Sequence, residues 1–114
     1  MIKISLHYNK QGDLWHFSLD GHAGYADHGQ DIVCAAVSMI VINTINSIES
    51  FTEEPTELKE DAGKGYIDCI FPQIRHNHGS KEAILLLKSM TLGLESIKKG
   101  YGQYIQINIY QGGE

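Results

Sequence analysis

The side chains of this 114-residue chain best suited to nucleophilic or ligand chemistry are two cysteines and six histidines. Cys34 stands three residues after an aspartate, in Asp31-Ile32-Val33-Cys34-Ala35-Ala36-Val37-Ser38. Aspartate is a preferred helix N-cap because its carboxylate accepts a backbone N–H two or three residues on. Asp31 is therefore expected to open a helix and Cys34 to fall in its first turn. A thiol there gains from the partial positive charge of the helix N-terminus, which favours the thiolate. The unpaired N–H groups of the same turn could hold the oxyanion formed when that thiolate attacks a carbonyl. Such a nucleophile needs a base, and His22, across a short loop, is the candidate. Asp31 either caps the helix or orients the imidazole; one carboxylate cannot do both fully. Ser38, one turn beyond Cys34, could touch the thiol, although a bond back to the helix backbone is the commoner use of a helical serine.

Each of these residues also has an ordinary reading. A lone cysteine in an apolar helix is usually a small core residue, and a lone histidine beside a loop is usually solvated. Cys69 is expected in the core, His7 and His16 on exposed strand positions, and His76 and His78 on a solvated loop. Gly63-Lys64-Gly65 reads as a turn, because the rest of a phosphate-binding loop is missing.

The elements that must position this chemistry can be read from the hydrophobic period. Residues 2–8 alternate as a strand, with Ile2, Ile4, Leu6 and Tyr8 on one face. Asn9 to Asp13 makes a hairpin loop, and residues 14–20 return with Trp15, Phe17 and Leu19 sharing a face. A glycine-rich loop follows from Gly21 to Gln30, and its residues 23–30 are expected to gate the cleft beside the nucleophile. The helix from Asp31 to about Ser50 is apolar almost all round in its first three turns, which predicts burial in the middle of the domain. A second hairpin covers residues 56–61 and 66–71, its first strand an acidic edge and its second stopped by Pro72. Ser80 caps a helix through Lys99 that Gly100 ends, and a last strand spans Tyr104 to Tyr110. The predicted fold is a single α+β domain over residues 1–114. Its order is ββαββαβ, a mixed sheet packed with two helices in two layers.

Composition narrows the function classes. A formal net charge of −5 argues against a binder of phosphate backbones and favours a basic partner. No apolar run reaches the roughly 18 to 20 residues of a membrane span, and residues 1–6 lack the apolar core of a signal peptide. The expectation is a cytoplasmic protein with no membrane and no nucleic-acid partner. In a reducing compartment the two cysteines are read as free thiols.

Gly21-His22-Ala23, a short loop, and then Gly29-Gln30-Asp31-Ile32-Val33-Cys34-Ala35-Ala36-Val37-Ser38 resemble the signature of the ribosomal-processing cysteine proteases (Prp). Outside residues 21–38 the likeness is one of element order only. The resemblance implies a His/Cys dyad at His22 and Cys34, with Gly21, Asp31 and Ser38 as neighbours in the motif. It implies, as substrate, the precursor of the large-subunit ribosomal protein numbered twenty-seven, whose N-terminal extension is removed beside a pair of phenylalanines. It also implies a homodimer and no metal or organic cofactor.

Two other functions compete. His22, His28 and Cys34 could together ligate zinc, though no CxxC or HExxH pattern supports this. A non-enzymatic ribosome-assembly or RNA-binding module is the second, and it lacks the basic, aromatic face that RNA recognition uses.

Overall fold

The computed structural model describes residues 1–21 and 28–112, apart from the side chains at positions 28, 30 and 62. Strand β1 (Ile2–Tyr8) and strand β2 (Leu14–Asp20) form an antiparallel hairpin. Helix α1 (His28–Phe51) follows, then strand β3 (Glu57–Asp61), a 3-10 turn (Ala62–Lys64) and strand β4 (Tyr66–Ile70). A short helix α2 (Pro72–Arg75), the long helix α3 (Lys81–Tyr101) and strand β5 (Ile105–Tyr110) complete the chain. The five strands form one sheet in the order β3-β4-β2-β1-β5. It is mixed, since β5 runs parallel to β1 while every other pair is antiparallel.

The α+β prediction holds, with α2 and the 3-10 turn added to the expected order. Pro72 does end β4, but its fixed φ also suits a first helical position, and α2 begins there. On β1, Ile2, Ile4 and Leu6 are buried, and they join Phe17, Leu19, Ile67 and Cys69 in one core under the long helices. Trp15 does not simply share the face of Phe17 and Leu19. The register shifts between His7 and Tyr8, pairing His7 with His16 and Tyr8 with Leu14, so Trp15 is the extra residue of a bulge. Arg75 of α2 lies over its indole at 4.6 Å.

Helix α1 is not buried all round. Val33, Val37, Val41 and Ile48 form a buried stripe, whereas Ile32, Met39 and Ile42 are exposed. Sequence hydrophobicity therefore overstated its burial: the helix lies on one face of the sheet and shows its other side to solvent. Over Asp31–Phe51 it is, by length and composition, as apolar as a membrane span, contrary to the expectation that no apolar run in this chain is that long. Its buried stripe packs into the sheet's core, as in the core helix of a folded domain.

Polar anchors fix the connections. Ser80 caps α3 by accepting from the Ala83 amide at 3.1 Å, as expected, and its own amide donates to Glu54 Oε1 at 2.6 Å. Helix α3 continues past Gly100 to Tyr101. Asn9, buried in the first hairpin loop, accepts through Oδ1 from the amides of Gln11 and Asp13. Its Nδ2 donates to the Ile74 carbonyl at 2.7 Å and to Asn77 Oδ1 at 3.0 Å. One side chain thus closes a turn and ties it to the segment after β4.

Candidate active site

Strand β2 ends at the centre of the sheet, and Gly21 is the residue just beyond it. The Gly21 amide donates to the Gly65 carbonyl at 2.9 Å, extending the β2–β4 ladder by one bond. Helix α1 passes over this strand end and lowers Cys34 onto it. The Cys34 thiol lies 3.8 Å from the Gly21 carbonyl oxygen, which it reaches as a weak donor. A Cβ built on Gly21 would stand 3.1 Å from the sulfur, so glycine is what lets the helix approach this closely. Helix α1 is seated at its start by a second glycine. A Cβ at Gly29 would overlap the phenol ring of Tyr104, which lies just before β5.

The two cysteines have opposite surroundings. Cys69 is fully buried between β2 and β3, and burial, with Asp68 adding to it, pushes its thiol up to about 12. It is the core residue that the sequence suggested. Cys34 is half-buried and lines a cleft of about 200 Å3 with Leu19, Ser38, Ile42, Glu60 and Tyr66. Its surface is mostly apolar, with the Glu60 carboxylate at the β3 side. Of the two thiols, the one in α1 can meet a ligand.

Three expectations about the helix start change. Helix α1 begins at His28, so Asp31 lies inside its first turn, exposed, and is not the N-cap. It still favours the helix dipole from there. The sequence-based boundary placed the start three residues late because His28-Gly29-Gln30 carries no hydrophobic period. Cys34 is then the seventh helical residue, and its amide is engaged by the i→i−4 ladder. The free N–H groups of the first turn belong to residues 28–31, so the expected oxyanion site in the thiol's own turn is not formed that way. Ser38 faces the cleft beside Cys34, and among the described residues its hydroxyl bonds neither the thiol nor the helix backbone.

His22 lies outside the described residues, as do the loop positions 23–27, so its approach to Cys34 and the gating role of the loop belong to the expectations from sequence. The alternative zinc trio shares this condition at His22 and at the His28 side chain. Among the described residues no three His, Cys, Asp or Glu side chains are grouped to hold a metal.

His7 and His16 are not simply solvated. On the helix-free face the rings of Tyr110, His7 and His16 stack, with centroids 4.6 and 4.5 Å apart. His16 Nε2 meets Asp68 Oδ1 at 2.8 Å at the end of the row. The pairing of β5 with β1 and of β1 with β2 assembles this row, and strand order is what the sequence pattern withheld.

Comparison with known proteins supplies the family. Residues 1–106 match the sequence profile described as cysteine protease Prp. The ribosomal processing cysteine protease Prp of Staphylococcus aureus is 30% identical over 109 residues, covering 95% of this chain and 98% of that protein. Its Bacillus subtilis counterpart is 29% identical, with 94% and 96% covered. The crystal structure of the S. aureus protease with a substrate peptide superposes with a TM-score of 0.85 at 28% identity, covering 96% and 99% of the two chains. A second structure of that protease, carrying a covalently linked product peptide, gives 0.83 at the same identity and coverage. The chain described above, with one accessible thiol set at the end of a central strand, belongs to the Prp family of ribosomal-processing cysteine proteases.

Proposed function

We propose that Cys34 is the nucleophile of an endopeptidase and His22 its base. The observation that carries this is the setting of Cys34: a half-buried thiol against Gly21, opening into a cleft. His22 is covalently the next residue after that glycine. His22 takes the proton of Cys34, and the thiolate attacks the scissile carbonyl to form a C–S bond and an oxyanion. Collapse of this intermediate breaks the C–N bond, and His22 returns the proton to the departing amine. Water then cleaves the thioester, with His22 accepting its proton, and frees the carboxylate and the thiol. Metal and organic cofactors have no part in this sequence of steps.

The proposed substrate is the precursor of the large-subunit ribosomal protein numbered twenty-seven, cut to remove its N-terminal extension in the cytoplasm. The names of the relatives and the peptide held by the S. aureus protease support this reading. So does the net charge of −5, which suits a basic protein substrate.

The proposed assembly is a homodimer. The helix-free sheet face carries Lys3, Ser5, Ser18, Asp68 and Asn108 beside the stacked rings, a largely polar surface. Exposed apolar side chains sit instead on the helices, at Ile32 and Met39 of α1 and Leu85 and Leu92 of α3. This favours pairing through the helices rather than through the helix-free sheet face.

The experiment is mass spectrometry of a peptide spanning the extension, incubated with wild type, Cys34→Ala and His22→Ala. The dyad requires cleavage at one bond by wild type and loss in both variants. Cleavage that survives either substitution in folded protein removes that residue from the mechanism.

A further inference from the structure

Cys34 begins a row of α1 side chains that recur at helical spacing: Ser38, Ile42, Ile45, Glu49 and then, just past the helix, Glu53. Edge strand β3 faces this row. Leu58 and Glu60 stand opposite Cys69 and Ile67 in the β3–β4 ladder, which puts both on the helix side of the sheet. Helix and strand run in opposite directions along the seam. Glu60 therefore shares the cleft of Cys34, and Leu58 shares a second hollow, of about 340 Å3, with Ile45, Glu49 and Glu53. The floor of this path is apolar and its rim acidic.

The acids are placed against local preference. Glu49, Glu53 and Glu54 gather at the C-terminal end of α1, where the helix dipole is negative and basic residues are favoured, and no basic residue occupies its last turn. Glu54 is engaged by the Ser80 amide. Among the described residues Glu49, Glu53 and Glu60 have no lysine or arginine partner. A charge turned inward on an edge strand discourages aggregation, which would account for Glu60 alone. It does not account for two more carboxylates on the facing helix, where their field adds to that of the helix terminus.

From Cys34 to Glu49 the helix rises about 22 Å, at roughly 1.5 Å per residue. An extended peptide covers that span in about seven residues. We infer that the α1–β3 seam is an extended substrate groove, with the thiol at one end and Glu49 and Glu53 at the other holding lysine or arginine side chains of the peptide. The combined reach of a long basic side chain and a glutamate covers about three residues of extended chain, so those lysines or arginines lie about four to seven residues from the scissile bond. Ile42, Ile45 and Leu58 take up apolar side chains between. This deepens the protease reading and rests on it for the position of the cut.

The test compares fluorescent peptides that share one cleavage sequence. They carry lysines four to seven residues away on the amino side, lysines at the same distance on the carboxyl side, or glutamines in both places. Binding is read by anisotropy with Cys34→Ala, so that cutting does not interfere, and repeated in Cys34→Ala with Glu49→Gln and Glu53→Gln added. One lysine peptide is expected to bind roughly three- to tenfold more tightly than the glutamine peptide, as two partly exposed ion pairs allow. The added substitutions should erase that gain. With wild type, the advantage should fall in KM. Equal binding of all three peptides, or a gain that survives the glutamate substitutions, overturns the groove. Wild type that cuts none of the peptides counts against the protease reading, while the binding comparison still decides the groove.

Discussion

At the residue scale the site turns on a glycine. The sulfur of Cys34 lies only 3.1 Å from where a side chain at Gly21 would begin. Alanine there is expected to displace the thiol by part of an ångström and to lower kcat by roughly ten- to a hundredfold, because reactivity depends on approach geometry. Thermal unfolding should move little by comparison, since the displaced group is half-buried. Unchanged kcat in Gly21→Ala would show that the thiol's position is not what limits the reaction. Asn9 is the residue that the sequence least advertised. It read as one more turn residue, yet it is buried and makes four hydrogen bonds, two to its own loop and two to the segment after β4. Asn9→Ala leaves several of these groups without partners and should cost about 2–3 kcal/mol in urea unfolding. A loss below about 0.5 kcal/mol would mean that water replaces the side chain.

At the element scale, the strands and long helices were legible because their periods are clean. Ile2-Ile4-Leu6 alternates, and Ala83, Leu87, Met90 and Leu94 repeat at helical spacing behind a serine cap. What was not legible depends on partners distant in sequence. The parallel pairing of β5 with β1 and the Trp15 bulge leave no mark in a local pattern. The start of α1 was missed because His28-Gly29-Gln30 is polar, and its seat on Tyr104 is tertiary. The stack of Tyr110, His7 and His16 is a product of that hidden strand order. It carries a pH dependence. Burial lowers the His7 pKa below its usual 6.5; His16 adds to this and Asp68 opposes it. Between the lowered value and 6.5 the unfolded chain binds more protons than the folded one. Stability therefore falls as pH drops through that window and levels off beneath it. His7→Gln should flatten this loss, measured as the urea midpoint at about pH 7.5 and about pH 5. An identical loss in the variant would place the titration elsewhere.

At the scale of the whole molecule, the sheet and helices bring one thiol to the surface and bury the other. Beside the accessible one runs a seam whose far end is acidic. With a net charge of −5 and the carboxylates of Glu49, Glu53 and Glu60 along that seam, the enzyme should lose affinity for a basic peptide as salt rises. KM that is flat across ionic strength would leave electrostatic attraction without a part in binding. The motif around Cys34 was legible from residue order alone, whereas Glu60 and Leu58 join it only through the pairing of β3 with β4. The central claim is that Cys34, and not Cys69, performs the chemistry. It is tested most directly with a substrate-derived peptide bearing a chloromethyl ketone, mapping the adduct on the intact protein by mass spectrometry. A single adduct at Cys34, slowed by His22→Ala and absent from Cys34→Ala, is the predicted result. Label at Cys69, or none at Cys34 in folded enzyme, would contradict it.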